Sequence, residues 1–372
     1  MKLNNSDTQH QLAKKVRAIA FYLPQYHPIP ENDEWWGKGF TEWTNVTKAK
    51  PAFPGHYQPH LPADLGFYDL RLPEVRDAQA NLAREYGIYG FCYYHYWFHG
   101  KRMLERPFNE VLDSGKPDFP FCLCWANENW TRRWDALENE MLIEQKYSEE
   151  DDRQHIQWLS KAFQDQRYIR VNDKPIFLVY RTWSLPDPLK TTSIWREEAQ
   201  RLGIGEIFLC AVESHSLSKY DDPTTIGFDA SVEFQPNTSF LGHLTSYKIK
   251  YKIRQYINLL IWHRKPHNIY SYDWFIKHSH KKQSVPYKRF RCVTPSWDNT
   301  ARRKEGAMIL HNSAPHLYEQ WLKSVIGELN PANPSENIVF INAWNEWAEG
   351  NHLEPCHKWG KSYLEATRRA LE

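Results

Sequence analysis

Eight short apolar runs, separated by helical or irregular segments, restrict the fold of this chain more than any other feature. They occupy residues 17–22, 88–94, 119–125, 174–180, 206–212, 228–233, 291–295 and 337–343. Most are nearly continuous in apolar residues rather than alternating, the pattern of parallel strands covered on both faces. Helical patterns fill several gaps between them. Residues 73–86 open on Pro73 and stop at Gly87, the expected punctuation for a helix. Ser148 stands before Glu149, Glu150, Asp151 and Asp152, an N-cap followed by an acidic first turn, and that helix runs on through Trp158, Leu159 and Phe163. Residues 193–202 and 314–327 also read as helices. Strands alternating with helices predict an α/β fold, a (β/α)₈ TIM barrel with long loops after strands 1 and 6. The alternative, an open doubly wound sheet, lacks its Gly-rich fingerprint after any strand. At 372 residues, the chain has the length of one barrel with insertions, so 1–372 reads as a single catalytic domain.

Two segments exceed ordinary loop lengths. Residues 23–72 follow the first strand and carry many Pro, Trp and His side chains. Long segments on the C-terminal side of barrel strands build active-site walls. The second, a basic aromatic insertion at about 236–290, is set off by charge. Residues 236–291 hold twelve Lys or Arg and one acid, Asp273, a net +11 in a chain whose total is +2, so the remainder carries −9. Ile249, Ile253, Tyr256, Ile257 and Leu260 fall at helical spacing, with Lys248, Lys250, Lys252 and Arg254 between them. The first part also alternates with period two, which leaves helix and strand both open. A basic amphipathic segment suggests contact with an anionic membrane surface or an anionic polymer; the plainer reading, which the sequence favours, is a solvated basic lid packed on the barrel. No nucleic-acid-binding module matches, and the global charge carries no such signature.

Residues 1–16 lack the apolar core of a signal peptide, and no stretch has the length and apolarity of a membrane span. The six cysteines mostly lie inside apolar runs and read as free thiols. The expected location is cytoplasmic, peripheral at the inner face of the membrane if the basic insertion binds it. No metal ligand set and no cofactor fingerprint stands out; of His95, His99, His278 and His280, only His95 lies near a strand end.

The motif richest in chemistry is Asn342-Ala-Trp-Asn-Glu-Trp-Ala-Glu-Gly-Asn-His-Leu-Glu-Pro355, which begins in the last strand and runs into the following loop. Side chains at C-terminal strand ends face a barrel's mouth. Glu346 and Glu349 stand three apart, so a turn there aims both carboxylates into one hollow. Glycosidic cleavage needs two carboxyl groups, one to protonate the leaving oxygen and one to assist at the sugar. Flanking indoles and like-charge repulsion would raise the acid's pKa. A lone Glu-x-x-Glu is a common surface turn. Its setting between Trp344, Asn345, Trp347 and Gly350 favours the catalytic reading.

Other strand ends add aromatic rings beside polar groups, a composition suited to stacking and hydrogen-bonding sugars. Aromatic residues make up 15% of the chain, so rings can be spared for such a surface. The candidates for substrate binding are Tyr22, Tyr26 and His27 after the first strand; Tyr94, His95 and Trp97 after the second; Trp125, Asn127, Glu128 and Trp130 after the third; Trp297 and Asp298 after the seventh; and Trp344, Asn345 and Trp347 around the glutamates. Glu42 and Trp43, in the first long loop, complete the set.

Four segments carry a family resemblance: Phe21-Tyr-Leu-Pro-Gln-Tyr-His27, Gly39-Phe-Thr-Glu-Trp-Thr-Asn45, Cys124-Trp-Ala-Asn-Glu-Asn-Trp130 and Asn345-Glu-Trp-Ala-Glu-Gly350. They strongly resemble the WbsX-like glycosyltransferase family of bacterial surface-polysaccharide clusters, which is similar to glycoside hydrolase family 99, the endo-α-mannosidases. The resemblance implies a (β/α)₈ barrel and a retaining mechanism through a 1,2-anhydro sugar. In it Glu346 would deprotonate the substrate 2-hydroxyl, and Glu349 would protonate the leaving group. Family 99 commonly has His between its two glutamates, where this chain has Ala348. The alternatives are a sugar-nucleotide-dependent glycosyltransferase of polysaccharide biosynthesis, a non-catalytic glycan-binding barrel and a metal-dependent barrel hydrolase. The first would require nucleotide release from an activated donor.

Overall fold

The computed structural model describes residues 15–131, 140–214, 222–237, 266–279 and 285–372. Its centre is a closed barrel of eight parallel strands: β1 (Arg17–Tyr22), β2 (Ile88–Phe98), β3 (Phe121–Trp125), β4 (Lys174–Val179), β5 (Phe208–Glu213), β6 (Ala230–Glu233), β7 (Arg289–Val293) and β8 (Ile338–Ile341). Each strand pairs with the next, and β8 pairs with β1 through Arg17↔Ile338 to Ala20↔Ile341. Closure removes both sheet edges, so the apolar runs are covered inside by one another and outside by helices. The fold is therefore a (β/α)₈ TIM barrel. The strand centres fall where the eight apolar runs lie; β7 begins two residues earlier than its run because pairing with β6 and β8 engages Arg289 and Arg291.

Nine helices occur among the described residues: α1 (Pro30–Trp36) and α2 (Glu42–Lys48) in the first long loop, then α3 (Pro73–Glu85), α4 (Arg106–Ser114), α5 (Glu149–Phe163), α6 (Pro188–Arg201), α7 (Tyr272–Ser279), α8 (Pro315–Gly327) and α9 (Ser362–Leu371). The Ser148 side chain accepts a hydrogen bond from Asp151 N at 3.1 Å, capping α5 above its acidic first turn. α6 starts five residues before its sequence pattern, because Asp187 accepts from Lys190 N and Pro188 takes the first turn, neither of which shows in apolar periodicity.

Strand alternation sorts the rings. Phe21 points into the barrel, with Tyr94, Phe234 and Phe340 at 5.5–5.7 Å between centroids. Its neighbour Tyr22 points outward, donating to Gln79 Oε1 of α3 at 2.6 Å. The amphipathic pattern at 248–260 lies outside the described residues. What is described of that insertion includes a short strand, Asn268–Ser271, paired in parallel with Met308–His311, and α7 after it. Among the described residues no helix is long and apolar enough to cross a membrane. All six cysteines are buried and free.

Candidate active site

The chain leaves β8 through Asn342-Ala-Trp344 and forms a small hairpin, Asn345–Glu346 against Asn351–His352. The hairpin encloses a single 3₁₀ turn, Trp347–Glu349, with Glu346 as its N-cap. Residues three apart nearly eclipse in a 3₁₀ turn, so Glu346 and Glu349 project on the same side. Gly350 closes the turn with φ 56°, the left-handed region. A Cβ there would meet Asp298 Cβ, O and N at 3.0, 3.1 and 3.2 Å. That close approach lets Asp298 N donate to Glu349 O at 2.6 Å, which fixes the turn against the loop after β7.

Asn345 ties the same hairpin to the first loop: Leu23 N donates to its Oδ1 at 2.7 Å, and its Nδ2 donates to Leu23 O at 3.0 Å. Behind the turn, Trp347 stacks on His352 at 3.7 Å and donates through Nε1 to Glu354 at 2.6 Å. Burial pushes Glu354 up to about 7, opposed by hydrogen bonds from Trp347, Gln79 and Tyr68.

Both glutamates open into a cavity of about 380 Å³ at the C-terminal mouth of the barrel. Its aromatic walls include Trp36, Trp130 and Trp297, with Tyr94, Tyr96 and Tyr180 toward the barrel. Glu128 and Arg181 form an ion pair in the wall. Between the two glutamates lies Arg302. It donates from Nη2 to Glu346 at 3.1 Å, from Nη1 to Glu349 at 2.8 Å, and from Nε to Glu42 at 2.8 Å. Burial is the main force on Glu346; Arg302 opposes it, and Glu349 and Glu42 add repulsion, leaving its carboxyl raised to about 8. Glu349 is raised by the same burial, again against Arg302. The pair therefore retains a proton near neutrality, shared between two coupled sites. Among the described residues no group of three or more His, Cys, Asp or Glu is arranged to hold a metal ion.

Of the candidates named from sequence, Tyr94, Glu128, Trp130, Trp297, Glu346 and Glu349 line this cavity. The others do not. Tyr22 faces α3. Trp97 donates to Asp151 at 2.9 Å and Trp125 to Trp97 O at 3.1 Å, both in the layer between strands and helices. His95 stacks on Trp158 at 4.8 Å and shares a hydrogen bond with His155 at 2.9 Å. His27 is buried and held neutral, its pKa lowered to about 4 by desolvation. Trp344 is fully buried against Phe91. Tyr22, His95, Trp97 and Trp125 stand on strands, where the two-residue period turns each away from the mouth; His27 and Trp344 lie in the segments that follow strands.

A second group supports the wall from behind. Tyr26 and Trp43 pack together at 4.7 Å, with Trp43 5.6 Å from Trp347. Asn127 and the backbone of Arg181 exchange two hydrogen bonds of 2.8 Å. Asp298 accepts from Gln58 at 2.8 Å and from His56 Nε2 at 2.6 Å, and Ala52 N donates to His56 Nδ1. Glu42 reaches the glutamates only through Arg302.

Sequence reasoning passed over Tyr96, Tyr180, Arg181 and Arg302. Tyr96 follows Tyr94 by two on one strand, and Tyr180-Arg181 ends the fourth run with a ring and a polar partner, so both signals were present. Arg302 sits in the polar stretch Asn299-Thr-Ala-Arg-Arg-Lys-Glu-Gly306, where nothing local distinguishes it.

A closed (β/α)₈ barrel with a buried and a partly buried carboxyl in a ring-lined cavity at the C-terminal mouth defines the class: a barrel protein with an acid pair where such folds carry their active sites. Within that class, the chain belongs to the family described as Glycosyltransferase WbsX, whose model matches residues 18–367. It is 45% identical over 354 residues to the uncharacterized protein WxcX of Xanthomonas campestris pv. campestris (strain B100), covering 95% of this chain. The chain spans about half the length of the curated relatives it matches, 49%. Among solved structures it is similar to a glycoside hydrolase-like protein, with a TM-score of 0.61, 13% identity, and 96% of this chain and 94% of the other covered. The GH99 endo-α-mannosidase from Bacteroides thetaiotaomicron gives a TM-score of 0.53 at 14% identity, covering 95% and 96%. These likenesses bear on fold alone.

Proposed function

We propose that the chain cleaves or transfers glycosidic bonds of a bacterial surface polysaccharide, with Glu346 and Glu349 as the catalytic pair. The observation that carries this reading is the acid pair, bridged by Arg302, in a cavity walled by Trp130, Trp297 and Tyr94. One carboxyl protonates the departing oxygen while the other, ionised, takes the proton of the sugar 2-hydroxyl. That hydroxyl then displaces the leaving group with inversion, and water or an acceptor sugar opens the resulting 1,2-anhydro ring with a second inversion, so the configuration is retained overall. The family resemblance assigns the base role to Glu346 and the acid role to Glu349. Glu346 is pushed up to about 8, so it must yield its proton when substrate fills the cavity. Aryl glycosides separate the roles: with a good leaving group, Glu349→Gln should regain most of its lost rate and Glu346→Gln should not. The reverse pattern would exchange the two assignments.

The second reading is a sugar-nucleotide-dependent glycosyltransferase, favoured by the family's description. Incubation with surface polysaccharide from the source organism, with and without sugar nucleotides, distinguishes them by mass spectrometry. New or shortened glycans without any nucleotide support the acid-pair reading; products that require a nucleotide donor overturn it. The positive charge of 236–291 suits an anionic membrane surface. Sedimentation with phosphatidylglycerol vesicles at low salt, lost at high salt, is expected; no binding at low salt removes the membrane idea.

A further inference from the structure

Resting on the catalytic reading above, we infer that Arg302 and Glu42 form a charge-setting and positioning unit that holds Glu346 and Glu349 together and governs how many protons the pair keeps. Three carboxyls converge on one guanidinium, with contacts of 2.8, 3.1 and 2.8 Å to Glu42, Glu346 and Glu349. Arginine can do this because its donors lie in a fixed planar fork. The Nε contact to Glu42 sets the plane, and the two Nη atoms then face the two catalytic carboxyls.

The unit is built into the fold from both sides. Glu42 is fully buried in the first turn of α2, whose capping box at Thr41 and Thr44 fixes that turn. Arg302 follows the 3₁₀ turn Asn299–Ala301, whose N-cap Asp298 accepts from Thr300 N at 3.0 Å. Asp298 also holds the backbone of Glu349, so one loop carries the guanidinium and clamps one of its partners.

The charge count then decides the protonation state. One cation against three carboxyls, Glu42 and Glu346 buried and Glu349 partly buried, leaves two excess negative charges if all ionise, which burial disfavours. Among the described residues, Arg303 also lines the cavity but forms no ion pair with either glutamate, and the other titratable neighbours add no net positive charge. Tyr26 comes from the first loop, and Tyr94 and Tyr96 come from β2, all neutral phenols held so by burial. Glu128 follows β3 and is matched by Arg181 after β4, beside the partly buried Tyr180. Glu354 lies behind Trp347 and adds another acid.

The two members of the unit push in opposite directions, and this gives the test. Infrared titration of buried carboxyl bands in the free protein needs no substrate, and Glu346→Gln and Glu349→Gln assign the bands. Removing the cation, as in Arg302→Met, should move the pair's titration at least about one pH unit upward. Removing an acid, as in Glu42→Gln, should move it downward by a similar amount. Arg302→Lys keeps the charge without the fork, so the titration should stay near wild type while turnover falls. Unmoved titrations in Glu42→Gln and Arg302→Met overturn the inference; if Arg302→Met does not fold, Glu42→Gln alone decides it. Activity surviving in Glu346→Gln and Glu349→Gln would instead overturn the catalytic reading and leave the titration result standing.

Discussion

Glu346→Gln and Glu349→Gln should each lower turnover at least ~10²-fold on the polysaccharide substrate, the usual scale for losing general acid–base help. Gln preserves size and can still accept from Arg302, so the cavity and the 3₁₀ turn should persist. Stability should move the other way. The carboxyl of Glu346 is raised from 4.5 to about 8. Between those values the folded protein holds a proton that the unfolded chain has released. Stability therefore falls as pH rises through that window. Gln removes that dependence, so Glu346→Gln should melt above wild type at pH 8 and lose the advantage toward pH 4.5. Calorimetry and rate measurements on the same samples check both halves. Wild-type rates in both variants, on a confirmed substrate, would end the assignment.

Gly350→Ala should cost about 1–3 kcal/mol of stability and also lower turnover by ~10²-fold. Part of the loss is conformational, since φ 56° strains a residue with a side chain. The rest is steric, because the new Cβ would sit 3.0 Å from Asp298 Cβ and 3.1 Å from its carbonyl oxygen. Relief requires the hairpin and the β7 loop to separate, which breaks the 2.6 Å bond from Asp298 N to Glu349 O. Displacing a catalytic group by about an ångström is enough for a rate loss of that size. Gly350→Asn tests the mechanism, since Asn tolerates the left-handed region but still carries a Cβ. It should recover part of the stability and little of the activity. An Asn variant as active as wild type would show that the close approach to Asp298 is dispensable.

The features legible in the sequence were those encoded locally. A run such as 174–180 announces a buried parallel strand because both faces must be apolar, and Ser148 before four acids announces a helix start because the physics of capping is local. The Glu346–Glu349 spacing is likewise a property of one turn. Which strand-end ring faces the mouth was also encoded, through the period of two, but a reading by composition gathered Tyr22, His95 and Trp125 with Tyr94 and missed Tyr96. Arg302 was not legible at all. Its partner Glu42 lies 260 residues earlier and Glu346 lies 44 residues later, so only the closed barrel brings them together. The support of Asp298 belongs to the same class: His56 and Gln58, which donate to it, arrive from the first loop, more than 200 residues away.

The most direct measurement is the anomeric configuration of the first product released from the polysaccharide, followed by proton NMR with no nucleotide present. A retained anomer that forms with wild-type protein and is absent with Glu346→Gln and Glu349→Gln is the expected result. An inverted anomer, or the same product from the Gln variants, would contradict an acid pair working through the sugar's own 2-hydroxyl.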